Sequence, residues 1–296
     1  MFPYSGEIFS IVCAFFWALA VVYFKKSGES IPPLQLNLFK DAVSLLLFLP
    51  TLLALGRPLW PEGSAADAYL LLASGALGIG LADTIFLKSL NLLGATRSAI
   101  IDCLYSPLVI ICSFFYLREP IGLSLLAALG LMSAAILLGN LQPENQEKNF
   151  HPRAIRNGLA LGALSMLLMA IGIVMAKPAL NRTDPLWATT VRICGGLAPL
   201  IILALLPGQL EVSRRVFTPG PHWRPAFIAS LFGSYLAMFF WVAGMKYTFT
   251  NIASVLNQLS TVFTPLLAVP ILGEQLGPRK AAAVFLAFFG ALVLFL

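Results

Sequence analysis

Charge is what this sequence has least of. Of its 296 residues only 11% are Asp, Glu, Lys or Arg, while 59% are hydrophobic. Soluble domains average roughly 25% charged residues. A water-soluble chain of this length would lack the polar side chains to coat its surface, and a disordered one would need still more of them. Histidine is almost missing as well. His151 and His222 lie in polar stretches beside Pro152 and Trp223, so the apolar runs hold neither an HExxH zinc motif nor a His-based nucleophile dyad. An intramembrane enzyme built on either is therefore not expected. Cys13, Cys103, Cys112 and Cys194 each sit alone in an apolar run, without CxxC spacing. They read as small buried hydrophobes, not as a disulfide framework or metal site. A Walker A loop is also missing, which excludes ATP as the driver, and no cofactor is expected. The net charge of +6 comes from 19 Lys+Arg against 13 Asp+Glu. These basic residues are scattered in short loops and form no single patch, so nucleic acid is not an expected partner.

What the chain does have is long apolar runs. Ten are read, at 7–24, 34–55, 68–92, 96–117, 121–140, 156–177, 186–206, 224–246, 250–271 and 278–296. A membrane-spanning helix needs about 20 mostly apolar residues. Turn signals such as Ser30-Ile31-Pro32-Pro33, Gly56-Arg57-Pro58 and Thr218-Pro219-Gly220-Pro221 separate the runs. The short alternating segments of a β-barrel are not seen. The first run is followed by Lys25-Lys26, not by a small-residue cleavage site, so it is kept as a helix. The expectation is an all-α membrane protein of ten transmembrane helices, with the lipid bilayer as its surroundings.

The two halves resemble each other. At an offset of 155, Gly78 falls on Gly233, Asp102 on Asn257, Glu119 on Glu274 and Gly122 on Gly277. At an offset of 152, Gly6 meets Gly158, Lys25 meets Lys177, Pro33 meets Pro185 and Lys40 meets Arg192. The polar stretch near the middle divides the chain into a first five-helix repeat at 1–140, a linker at 141–155 and a second five-helix repeat at 156–296. Five is odd, so the halves must enter the membrane from opposite sides. Two inverted five-helix repeats around a central cavity are an architecture of many secondary transporters.

On these features the chain resembles the drug/metabolite transporter superfamily, EamA type. The resemblance rests on Trp17-Ala18 in run 1 and the basic residues Lys40 and Arg192 early in runs 2 and 7. It rests also on the segments from Pro107 to Glu119 and from Pro265 to Leu272-Gly273-Glu274. It departs at Ala170-Ile171-Gly172, where the family has Trp-Gly, and at Arg118, where a Gly is common. The resemblance implies a cavity built from helices 1, 3, 4, 6, 8 and 9, with helices 5 and 10 at the periphery. It also implies a transporter in the cell membrane (the inner membrane of a Gram-negative cell) that exports small metabolites, such as amino acids or similar amphipathic solutes. The alternative is a flippase for lipid-linked substrates or a non-transporting membrane subunit.

Charged side chains at membrane depth cost about 2.5–3.5 kcal/mol each on insertion scales and normally face a cavity or a partner. Asp83 and Asp102 lie deepest and are the candidates for a cavity that responds to protons, the expected coupling ion. Lys40, Asp41, Lys88 and Arg192 are candidates for charge pairing or coupling, Arg192 as a clamp for a carboxylate or as a partner of an Asp. Neighbours on a helix are about 100° apart, so Lys40 and Asp41 are expected to find partners on other helices. Ser254, Asn257 and Thr261 share one face of run 9, and Ser98, Asp102 and Tyr105 a matching face of run 4. Trp17, Tyr105, Tyr235 and Trp241 lie deep enough to wall a site for a partly apolar substrate. Pro107 and Pro265 are hinge candidates, because proline frees a carbonyl and lets a helix bend. Glu119 is expected to accept backbone donors at the start of the following helix. The basic loops after runs 1, 3, 5, 7 and 9 put both termini outside by the positive-inside rule, whereas the resemblance implies cytoplasmic termini.

Overall fold

The computed structural model describes residues 3–28, 31–59, 64–93, 101–140, 152–220, 223–272 and 278–295. The linker stretch 141–151 and Ser98, His222 and Glu274 lie outside the described residues. Within them the chain is helical, without a strand. Its elements are α1 (Ser5–Gly28), α2 (Pro33–Ala54), α3 (Ala65–Leu93), α4 (Tyr105–Leu117), α5 (Leu123–Asn140), α6 (Pro152–Arg182), α7 (Pro185–Ala204), a short α8 (Leu210–Val216), α9 (Trp223–Tyr247), α10 (Thr250–Asn257), α11 (Ser260–Leu272) and α12 (Pro278–Val293). Six of them, α1, α2, α3, α6, α7 and α9, are long and apolar enough to cross a membrane.

Local chemistry sets several boundaries. Pro33, Pro152, Pro185 and Pro278 each open a helix, where a missing N–H costs nothing. Asp184 caps α7 by accepting from Leu186 N at 3.0 Å and Trp187 N at 3.2 Å. α6 starts at Pro152, ahead of its predicted run, and reaches Arg182 as one 31-residue helix.

Two irregularities were not legible beforehand. α3 passes through a π-helical segment at Ala76–Ala82, and α9 through another at Ser230–Ala237. A π segment widens the turn and loosens the carbonyl ladder, and such segments gather at functional sites. In α3 the loosened carbonyls are taken up by Asn37 of α2, whose Nδ2 donates to Ile79 O at 3.0 Å, Gly80 O at 3.3 Å and Thr84 Oγ1 at 3.0 Å. Runs 4 and 9 are each interrupted by a turn, at Cys103-Leu104 and Gln258-Leu259. These breaks, not the prolines, interrupt the helices. Pro107 lies in the first turn of α4, where it is tolerated, and Pro265 lies within α11.

Packing brings α3 against α6 and α7, α9 against α1 and α2, and α5 against α12. The tightest crossing is α3 on α7. A Cβ on Gly75 would lie 1.9 Å from the carbonyl oxygen of Arg192, and one on Gly195 would lie 2.1 Å from that of Leu72. Both obstacles are backbone, so the helices meet main chain to main chain. α9 approaches α1 similarly, with Gly244 against Ser10 and Gly6 against Thr248.

One end of the bundle is closed by polar contacts. It gathers the starts of α1, α3, α7 and α10 with the ends of α2, α4, α6 and α9. Thr248 Oγ1 donates to Glu7 at 2.7 Å, Arg57 faces Asp184 at 3.7 Å, and Arg182 Nε donates to Asp67 at 3.1 Å. Lys177 of α6 donates to Met245 O and, at 2.6 Å, to Thr248 O, at the end of α9. Lys246 of α9 donates in return to Thr183 O at the end of α6.

Replacing Gly75 or Gly195 by alanine should lower the thermal midpoint of the detergent-purified protein by several degrees or abolish its monodisperse elution. Gly130→Ala, whose Cβ would meet nothing within 4 Å, should leave the midpoint unchanged or slightly higher. Fluorescence-detected size-exclusion chromatography after heating checks both.

Candidate functional site

Three of the predicted charges form one buried cluster. Lys40 Nζ donates to Asp41 Oδ1 at 2.8 Å and to Asp83 Oδ2 at 2.9 Å. The expectation that sequence neighbours could not pair is therefore corrected. The four-carbon Lys40 stem folds back over its own turn, reaching Asp41 while also crossing to Asp83 of α3. The side chains of Lys40 and Asp41 are 5% and 0% exposed, that of Asp83 17%. Two carboxylates thus share one ammonium. Lys88, expected to join the charge pairing, is exposed, and among the described residues it has no ion pair.

Among the described residues Arg192 is one of the largest fully buried side chains, at 1% exposure. Among the described residues it has no carboxylate within ion-pair distance, and its Nε and Nη1 make no hydrogen bond. Asp83 and Tyr105 lie within electrostatic range. Its guanidinium carbon sits 5.0 Å from the centre of the Trp241 ring, a cation–π distance. The terminal Nη2 faces Gly78 in the π segment of α3, 3.7 Å from where a Cβ would stand.

Around this cation the structure gathers three further predicted residues, Trp241, Tyr105 and Asn257. Trp241 Nε1 donates to the Asn257 amide at 2.9 Å, and that amide donates to Ser10 O at 3.2 Å once it is oriented to satisfy both neighbours. The Tyr105 hydroxyl lies beside Trp241, but the single indole N–H is already used, and the hydroxyl has no partner among the described residues. Asp102, just before the break in run 4, likewise has its buried Oδ1 unpartnered there. Gln258, in the matching break of run 9, was not singled out from the sequence. It is buried with both amide atoms unpaired among the described residues. Its only sequence signal was a second amide next to Asn257.

Other predicted residues are placed elsewhere. Ser254 spends its hydroxyl on Asn251 O at 2.8 Å, while its own carbonyl accepts from Ser106 at 3.0 Å and ties α10 to α4. Thr261 donates to Gln258 O at 2.7 Å. Trp17 is half-buried against Phe24, with ring centres 6.3 Å apart. Tyr235 shares a hydrogen bond with Thr51 at 2.7 Å, and its ring lies tilted against Phe48 with centres 4.6 Å apart. It lines a separate aromatic cavity of 420 Å³ that reaches Arg57 and Asp184 at the closed end. Glu119 accepts from Thr250 N at 2.8 Å and Asn251 N at 3.0 Å. Its donors open α10 in the other half of the chain, not the helix that follows it, which corrects that expectation.

A helical chain with long apolar spans and charged side chains gathered in its interior is a multi-pass integral membrane protein of the transporter class. The chain matches the EamA-like transporter family over residues 4–141 and again over 156–296, and it belongs to that family. It is 32% identical over 133 residues to a protein of Archaeoglobus fulgidus described as an uncharacterized transporter. That alignment covers 45% of this chain and 43% of the relative. It is 28% identical over 251 residues to Protein PecM of Dickeya dadantii, covering 82% of this chain and 77% of that protein. A solved crystal structure superposes with a TM-score of 0.80 at 18% identity, over 98% of this chain and 96% of the other. That likeness is one of fold.

Removing the shared cation should destabilise the triad. Lys40→Met leaves two buried carboxylates facing each other and should cost about 3–5 kcal/mol, whereas Lys88→Met should stay within about 0.5 kcal/mol. Thermal midpoints of the two variants, measured side by side, check the difference.

Proposed function

We propose that the protein is a secondary transporter that exports small metabolites, amino acids or similar amphipathic solutes, by alternating access. In this reading the segments 1–140 and 156–296, joined by 141–155, are inverted repeats that rock around a central site. The observation that carries it is Arg192, a buried cation with two nitrogens unpaired among the described residues, beside the unpaired Tyr105 hydroxyl, while Asp102 and Gln258 keep unpaired buried atoms at the breaks of runs 4 and 9. Burying such atoms without partners costs free energy that a stable scaffold would avoid. A site that receives a polar solute supplies the missing partners.

Several features support the duplication. The offset of 155 carries Ala82 at the end of one π segment onto Ala237 at the end of the other. It also carries the break at Cys103-Leu104 onto that at Gln258-Leu259. Helix pairings exchange in the same way, with α3 on α6 answering α9 on α1, and α3 on α7 answering α9 on α2. The paired breaks near Pro107 and Pro265 are the hinges of the motion. Lys40, Asp41 and Asp83 form the coupling group, with Asp102 the second carboxylate able to carry a proton.

The test is flux in proteoliposomes, with labelled amino acids and related amphipathic metabolites, with and without a proton gradient. Gradient-stimulated movement of at least one solute is expected. Asp83→Asn and Asp102→Asn should each abolish that stimulation while keeping a normal elution profile. Undiminished stimulation in both variants removes protons as the coupling ion. No flux of any solute, with lipid scrambling or none at all, assigns the protein to the flippases or to the non-transporting subunits.

A further inference from the structure

We infer that Arg192 and Tyr105 form a carboxylate-binding site, and that the transported solute is held there by its carboxylate with its apolar part against Trp241. The inference rests on the transporter reading above and adds the chemical class that the site selects.

Four observations converge. First, Arg192 is fully buried and keeps two guanidinium nitrogens without protein partners among the described residues. An unpaired buried cation is costly, and the free N–H groups of Nε and Nη1, which point to different sides of the guanidinium, can each donate a charge-assisted hydrogen bond to an anionic oxygen. Second, the protein does not neutralise this cation by contact. The carboxylate within electrostatic range of it, Asp83, is already engaged by Lys40 at 2.9 Å. Third, the Tyr105 hydroxyl, within electrostatic range of Arg192, is buried and also unpaired among the described residues. It is a further neutral donor for an anionic oxygen. Fourth, the Trp241 ring lies against the guanidinium and is fixed through its N–H by Asn257. A rigid aromatic surface beside a cation accommodates a solute that joins a carboxylate to an apolar body.

The position of Arg192 is itself held tightly. Its backbone carbonyl is the atom that Gly75 touches, and its Nη2 lies over Gly78. α7 therefore cannot slide along α3 to bring the guanidinium to a carboxylate of the protein. A fixed cation with open donors is preorganised for an external anion.

The experiment is calorimetric titration of the purified protein in nanodiscs with matched pairs of probes, phenylacetate against phenylacetamide and isovalerate against isovaleramide. Each pair keeps the apolar body and removes the charge. Wild type should bind the acids and show no measurable heat with the amides. Arg192→Gln should weaken acid binding on the order of 100-fold, and Tyr105→Phe about 10-fold. Tyr105→Phe removes one oxygen only, so it tests the site even where Arg192→Gln fails to fold. Wild type that binds acids and amides alike, or neither, overturns the carboxylate site, as does acid binding unchanged in Tyr105→Phe and Arg192→Gln. The transporter reading fails separately, through absence of flux in proteoliposomes, and a protein that moves other solutes while ignoring these acids keeps that reading and loses this one.

Discussion

The contact of α3 with α7, backbone against backbone, is the constraint from which the interior follows. With no side chain at Gly75 or Gly195, two carbonyls occupy the space where Cβ atoms would stand. Close approach of this kind is how helices associate in lipid, where no hydrophobic force drives them together. Here it also decides electrostatics. Arg192 contributes one of those carbonyls, so the residue with the central cation is the one seated deepest in the crossing. The π segment of α3 runs past it, with Gly78 facing the guanidinium, and Asn37 collects the carbonyls that the wider turn leaves loose.

Charge in the interior is grouped without being balanced locally. One ammonium serves two carboxylates on α2 and α3, while a guanidinium on α7 has no carboxylate in contact. Asp83 belongs to both environments, bonded to Lys40 and within range of Arg192. A bundle optimised only for stability would replace such groups by packed apolar side chains at little cost or at a gain. Their retention sets the centre apart from the α5–α12 contact, where buried Ala128, Met132, Ala287 and Ala291 pack together.

Much of this was legible in the sequence because membrane solvation is a strong constraint. Long apolar runs broken by Pro/Gly turns have few alternatives to helices, and the few ionisable residues within them stand out against the background. Arg192 stands out in this way, Tyr105 and Trp241 as deep aromatics and Asn257 on a polar stripe, and the structure places the four near one another. What stayed hidden depended on geometry that residue identity does not encode. The π segments carry no sequence signal beyond their glycines, and the breaks lie a few residues ahead of the prolines that suggested bending. Pairing of Lys40 with Asp41 was misjudged because helix-face angles describe Cβ directions, while a lysine stem is long enough to turn back. Glu119 was correctly read as an acceptor for backbone donors, but its partners lie far along the chain, and nothing local to residue 119 points to residues 250 and 251.

The crossed lysines at the closed end have a further consequence. Lys177 serves the final carbonyls of α9, and Lys246 serves those of α6. Each helix therefore supplies the counter-dipole for the other's negative terminus. Separating the two ends removes the carbonyl partners of both ammonium groups. The ends of α6 and α9 are thereby fastened to each other from both sides.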